Sequence, residues 1–171
     1  MTPKALIVED DAAVRNTLAR VLTSSGIQSV LSSSGQEAIE KIAEESFDVV
    51  LLDINLDGMD GFEVIHALRD GGNQIPVMVV SGRTEDVDML YSLEIGADDY
   101  ITKPFIPEEV KARVGVHLKV YNATHNLLEM NRKLRISVKE QIKQMDAEKK
   151  SVLYGLAGVA RKNASYDEKH R

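Results

Sequence analysis

The sequence predicts an α/β fold in which a parallel sheet of five strands is covered by helices on both faces. Two observations carry this. Short β-branched or apolar runs alternate with amphipathic stretches of helical spacing over residues 1–119, an order that calls for right-handed crossovers and parallel strands. The third and fourth runs, Val49–Leu52 and Val77–Val80, are apolar throughout, as strands buried on both faces must be.

The elements follow in order. Strands are expected at Ala5–Val8, Val30–Leu31, Val49–Leu52, Val77–Val80 and around Tyr100–Ile101. Val14, Leu18, Val21 and Leu22 mark the first helix; Ala38, Ile39 and Ile42 the second; Phe62, Ile65 and Leu68 the third. Gly26, Gly71-Gly72 and Gly96 end the first, third and fourth helices. Asp11 is placed to cap the first helix, and Asp57 and Asp60 read as turn or cap residues without chemistry. Pro107 opens the fifth helix, and no strong breaker follows until Gly155 and Gly158.

Charge divides the chain near residue 120. Residues 1–119 hold 10 Lys and Arg against 21 Asp and Glu, whereas residues 120–171 hold 11 against 6. The basic stretch interleaves both signs and lacks aromatic partners for bases, so a solvated helix face is expected rather than direct contact with nucleic acid. A seven-residue rhythm runs along it. Candidate a positions are Tyr121, Leu128, Arg135, Ile142, Lys149 and Leu156; candidate d positions are Thr124, Asn131, Val138, Met145, Val152 and Val159. Such a stripe on one long helix predicts a homodimer with a parallel coiled coil. The expected division is 1–119 for the α/β domain, 120–160 for the helical linker and 161–171 for the start of an output domain.

Several classes drop out. The chain has no cysteine, which removes disulfides and thiolate metal sites. Met1–Lys4 lacks a signal-peptide layout, and no apolar run approaches a membrane span. A soluble cytoplasmic protein is expected, without a membrane partner.

The chemistry collects at strand ends. Glu9, Asp10 and Asp11 follow the first strand, Asp53 the third, Ser81 closes the fourth, and Lys103-Pro104 the fifth. In a doubly wound sheet these positions share the carboxyl edge, where the ligand crevice forms. Carboxylates gathered there need a cation, and an oxygen-only donor set favours a hard ion such as Mg2+. Lys103 supplies a positive charge for a phosphoryl oxygen and Ser81 a hydroxyl donor. Asp53 is then the nucleophile of an aspartyl-phosphate chemistry.

These residues stand within longer motifs. Val8-Glu9-Asp10-Asp11, Leu52-Asp53-Ile54-Asn55-Leu56, Met59-Asp60-Gly61, Val80-Ser81-Gly82 and Gly96-Ala97-Asp98-Asp99-Tyr100-Ile101-Thr102-Lys103-Pro104-Phe105 together resemble the receiver domain of two-component response regulators, over residues 1–119. The resemblance implies a flavodoxin-like sheet of order 2-1-3-4-5, with the last helix extended. It implies that Glu9 and Asp10 are the acidic pair, Asp53 the phosphoacceptor, Ser81 the switch hydroxyl, Lys103 the invariant lysine and Tyr100 the switch aromatic. Asn55 matches a residue whose backbone carbonyl is a metal ligand, and the Lys103-Pro104 bond is expected cis. The implied donor is a cognate histidine kinase. Asp57 departs from the pattern, which often has proline there, and this touches only the loop after the third strand.

Two rival chemistries fit less well. A haloacid-dehalogenase-type phosphatase needs a second acid two residues after its nucleophile, where this chain has Asn55. A flavodoxin-type cofactor binder needs a phosphate loop after the first strand, where Glu9-Asp10-Asp11 would repel phosphate. The tail, Ser151–Ala157 and Arg161–Arg171, resembles the opening helix of HD-type phosphohydrolase domains of the cyclic-di-GMP phosphodiesterase branch, with His170 matching its histidine. The alternative is a receiver that stands alone and acts by protein–protein interaction. The chain itself is expected to be a phosphoacceptor signalling domain rather than an enzyme.

Overall fold

The strands align as the alternating pattern requires. The structure, a computed structural model, describes residues 2–169, with side chains through residue 158. In chain order the elements are β1 (Lys4–Val8), α1 (Ala12–Thr23), β2 (Gln28–Ser32), α2 (Gly35–Glu44), β3 (Val49–Leu52), α3 (Gly61–Asp70), β4 (Val77–Ser81), α4 (Asp86–Glu94), β5 (Asp99–Thr102) and α5 (Pro107–Lys169). The five strands form one sheet of order β2-β1-β3-β4-β5, and all four pairings are parallel. The fold is therefore the flavodoxin-like one that the sequence predicts.

Side-chain alternation along each strand divides the interior into two layers. Leu6, Val8, Val50, Leu52, Val77, Val79 and Tyr100 face one side and pack with Val64, Ile65 and Leu68 of α3 and Ala38 of α2. Ala5, Ile7, Val49, Leu51, Met78, Val80 and Ile101 face the other, against Leu18, Val21 and Leu22 of α1 and Val110, Val114 and Leu118 of α5. The middle strands β1, β3 and β4 are thus enclosed on both faces.

Differences from the sequence reading are local. β2 is longer than its Val30–Leu31 centre because Gln28, Ser29 and Ser32 join it through backbone pairing with β1. An edge strand needs no apolar side chain at every position to keep its ladder. Asp11 caps α1 by accepting from the Ala13 and Val14 amides at 2.9 and 3.2 Å. Asp60 caps α3 through the Glu63 amide at 2.9 Å. The Lys103-Pro104 bond is cis.

The chain divides into two units, Met1–Ala123 and Thr124–Arg171. In the first, Tyr121 lies beside a cleft of about 190 Å³ with Ile42, Phe47 and Ile75. Tyr121, the first candidate a position of the seven-residue rhythm, thus falls in the first unit and is half-buried. The second unit is helical through Lys169, and residues 124–157 are all exposed. His170, the residue matched to the HD-type histidine, lies outside the described residues. No helix among the described residues is long and apolar enough to cross a membrane.

Candidate functional site

Register brings the chemical residues together. Val8 pairs with Leu52, so Glu9 and Asp53, each one residue further on, leave the sheet side by side. Ser81 pairs with Thr102, which sets Lys103 next to the end of β4, and the Lys103 amide donates to the Ser81 carbonyl at 2.8 Å. Glu9, Asp53, Ser81 and Lys103 therefore meet at the carboxyl edge of the sheet.

The polar contacts centre on Lys103. Its ammonium donates to Glu9 Oε2 at 2.8 Å and to Asp53 Oδ2 at 3.0 Å. Glu9 is 2% and Asp53 5% exposed, so two acids have been taken out of water and share one cation. Asp53 Oδ1 accepts from the Asn55 amide at 3.1 Å, and Glu9 Oε1 from the Asp11 amide at 3.2 Å. Burial pushes the Glu9 carboxyl up to about 7, against the lowering effect of its hydrogen bond with Lys103; the Asp53 charge adds to the rise. For Lys103, burial alone would lower the ammonium, but its bonds to Glu9 and Asp53 hold it above the ordinary lysine value.

Carboxylate oxygens of Glu9, Asp10 and Asp53 lie within 4.8 Å of one another, with Asp10 on the exposed side. Three acids against one lysine leave an excess of two negative charges when all are ionised. A divalent cation cancels that excess, and an all-oxygen donor set suits Mg2+. The residues present fit the ion.

Three contributors escaped the sequence reading. Gly61 begins α3 against the chain at Asp53: a Cβ there would stand 2.5 Å from the Asp53 carbonyl oxygen and 2.7 Å from Ile54 Cα. Only glycine lets α3 approach the loop that carries Asp53, although the motif Met59-Asp60-Gly61 contained the signal. Arg83, just past β4, donates from Nε to Asn55 Oδ1 at 2.8 Å and places its guanidinium 5.6 Å from the centre of the Phe62 ring. Its position two residues after Ser81 was the available clue. Arg69 donates to the carbonyls of Gly96, Asn73 and Ile75, tying the loops before β4 and β5.

Tyr100 and Ser81 are both internal. Ser81 is fully buried and its hydroxyl oxygen accepts from the Arg83 amide at 3.2 Å. Tyr100 is 6% exposed and its hydroxyl donates to the Arg83 carbonyl at 2.8 Å. The ring of Tyr100, the expected switch aromatic, lies in the interior.

With this geometry in hand, comparison with known proteins is unambiguous. Residues 5–115 match the family model of the response regulator receiver domain, and the chain belongs to that family. It is 39% identical over 119 residues to the alkaline phosphatase synthesis transcriptional regulatory protein PhoP of Bacillus subtilis, covering 70% of this chain and 50% of the relative. It is 40% identical over 123 residues to the transcriptional regulatory protein PrrA of Mycobacterium tuberculosis, covering 72% and 53%. The chain thus spans about half the length of these relatives. Among solved structures, the BeF3-activated receiver domain of Klebsiella pneumoniae RstA superposes with a TM-score of 0.64 at 39% identity, covering 67% of this chain and 97% of that one. A Francisella response regulator receiver domain superposes at 0.66 with 29% identity, covering 68% and 97%.

Proposed function

We propose that this chain accepts a phosphoryl group on Asp53 from a cognate histidine kinase and passes the change on through α4, β5 and α5. The observation that carries the reading is the buried Asp53 carboxylate held by Lys103, beside Glu9 and Asp10 on the open edge of the sheet.

The roles follow from the contacts. Asp53 attacks the phosphorus of the phosphohistidine donor; a P–O bond forms, the P–N bond breaks, and its electron pair leaves on the imidazole nitrogen. Asp53 Oδ1 accepts from the Asn55 amide and Oδ2 from Lys103, which orients the nucleophile. Glu9, Asp10, Asp53 and the Asn55 backbone carbonyl would hold Mg2+, which when bound supplies neutralisation of the phosphoryl oxygens. Lys103 is within reach of the same oxygens, and the Ser81 hydroxyl is the donor for another. Drawing the Ser81 hydroxyl toward the phosphoryl group then opens space that favours the inward Tyr100 ring, a two-state shift biased by contacts made in one state only.

The output is read from sequence alone. The likeness of Ser151–Ala157 and Arg161–Arg171 to HD-type domains supports an output of that class, and a protein of this kind would act from the cytoplasm. Loss of cyclic-di-GMP hydrolysis on Asp53→Asn in the complete gene product would support it, and absence of hydrolysis in the wild type would exclude it.

Phosphorylation itself is tested by incubating the chain with acetyl phosphate and Mg2+ and measuring intact mass. One added phosphoryl group is expected in the wild type and none in Asp53→Asn. Equal labelling of the two overturns the assignment.

A further inference from the structure

We propose that residues 124–158 of α5 pair in parallel, and in register, with the same segment of a second copy of this chain, along a seam with a four-residue stutter between Leu134 and Ile142. The pairing rests on the helix and stands or falls separately from phosphorylation of Asp53.

The segment is unbroken helix, and its large apolar side chains all face water. Leu127, Leu134, Val138, Ile142, Met145, Val152 and Leu156 are between 44% and 67% exposed. An apolar stripe of this length on a soluble helix calls for a partner. The strict seven-residue phase does not describe that stripe well. It starts on Tyr121, which belongs to the first unit and is half-buried there. It also sets Arg135 against its own copy, with Arg132, Lys133 and Lys139 close by in sequence, so that no acid in this stretch offsets a buried pair of guanidinium groups.

A single shift of phase removes both conflicts. Thr124 and Leu127, then Asn131 and Leu134, form a and d pairs before the shift. Ile142 and Met145, then Lys149 and Val152, form them after it, with Leu156 as the next a. The step from Asn131 to Ile142 is eleven residues instead of seven, the spacing a stutter inserts, and it relaxes the left-handed supercoil locally. Val138 fills the extra layer, and Arg135 leaves the core.

The layers then match what a parallel pair requires. All four d positions are apolar, two of them Leu, and Ile142 is a β-branched a residue; this combination favours two strands. Asn131 moves from d to a, where one amide can both donate to and accept from its copy, and a single polar residue at a fixes register. Lys149 at a packs beside the g position of the second copy, which is Glu148, an opposite charge. Self-pairing thus supplies partners for Asn131 and Lys149, which an unrelated apolar groove would not.

Disulfide trapping in the full chain reads the register directly, because the wild type has no cysteine. Leu134→Cys, Met145→Cys and Arg135→Cys are compared under mild oxidation, alongside sedimentation of the wild type. All three positions are exposed in the single helix, so the substitutions leave the folded domain intact. We expect a dimer in sedimentation. Leu134→Cys and Met145→Cys should cross-link about tenfold faster than Arg135→Cys, since only Cβ atoms about 4 Å apart can form the bond. Faster trapping at Arg135→Cys restores the strict heptad and overturns the stutter. A dimer that traps at none of the three overturns parallel pairing, and a wild type monomeric at high concentration overturns the pairing altogether.

Discussion

Replacing Lys103 with methionine tests the electrostatic core of the site while keeping a side chain of similar length. In the wild type, one ammonium stands 3.0 Å from Asp53 and 2.8 Å from Glu9. At an effective dielectric of 20, each contact is a gross attraction of about 5–6 kcal/mol. Much of this only offsets the cost of taking the charges out of water, and breaking a buried pair from one side costs about 3–5 kcal/mol. The lysine side chain is 22% exposed, so the lower end, about 3 kcal/mol, is expected at pH 8 without metal. At pH 5.5, below the Glu9 value of about 7, Glu9 carries a proton and the variant holds one fewer uncompensated charge. The loss should shrink to about half, roughly 1.5 kcal/mol. Mg2+ should narrow the difference at pH 8, because a cation among Glu9, Asp10 and Asp53 replaces part of the missing positive charge. Urea unfolding followed by circular dichroism at both pH values, with and without Mg2+, measures all four conditions. A variant as stable as the wild type at pH 8 without metal would refute the reasoning, as would a deficit that Mg2+ leaves untouched.

Other perturbations have equally definite outcomes. Gly61→Ala puts a Cβ 2.5 Å from the Asp53 carbonyl oxygen, so backbone must move; a loss of about 1–3 kcal/mol, with slower phosphorylation of Asp53, is expected from urea melts and intact-mass kinetics. Asp11→Ala removes the acceptor for two amides of α1 and should cost about 1 kcal/mol in the same melts, about the worth of an N-cap. Because the folded-state value of Glu9 is raised from 4.5 to about 7, the native protein holds more protons than the unfolded chain between those limits. Its metal-free stability should therefore fall as pH rises through that window, relative to Glu9→Gln. Mg2+ competes with the same proton, so its apparent affinity should climb with pH until about 7 and then level off, as titration calorimetry would read.

Alternation of strand-like and helix-like runs determined the fold without any view of the structure, because the inner strands β1, β3 and β4 carry the apolar signature of their own burial. The two-layer division seen along Leu6 and Ile7, or Leu51 and Leu52, is the same periodicity expressed in space. The acidic run after β1, Asp53, Ser81 and Lys103 were legible for a related reason: strand ends of a parallel sheet converge on one edge whatever the details. Tertiary structure alone decided how they meet. That Lys103 binds both Glu9 and Asp53, that Arg83 reaches Asn55, and that Tyr100 lies inward on the Arg83 carbonyl are contacts between segments far apart in sequence, so no local periodicity encodes them. Gly61 is needed because of what α3 presses against. Local pattern sets which face of an element is buried; only packing of the assembled elements sets which atoms touch, and thereby the charge each group carries.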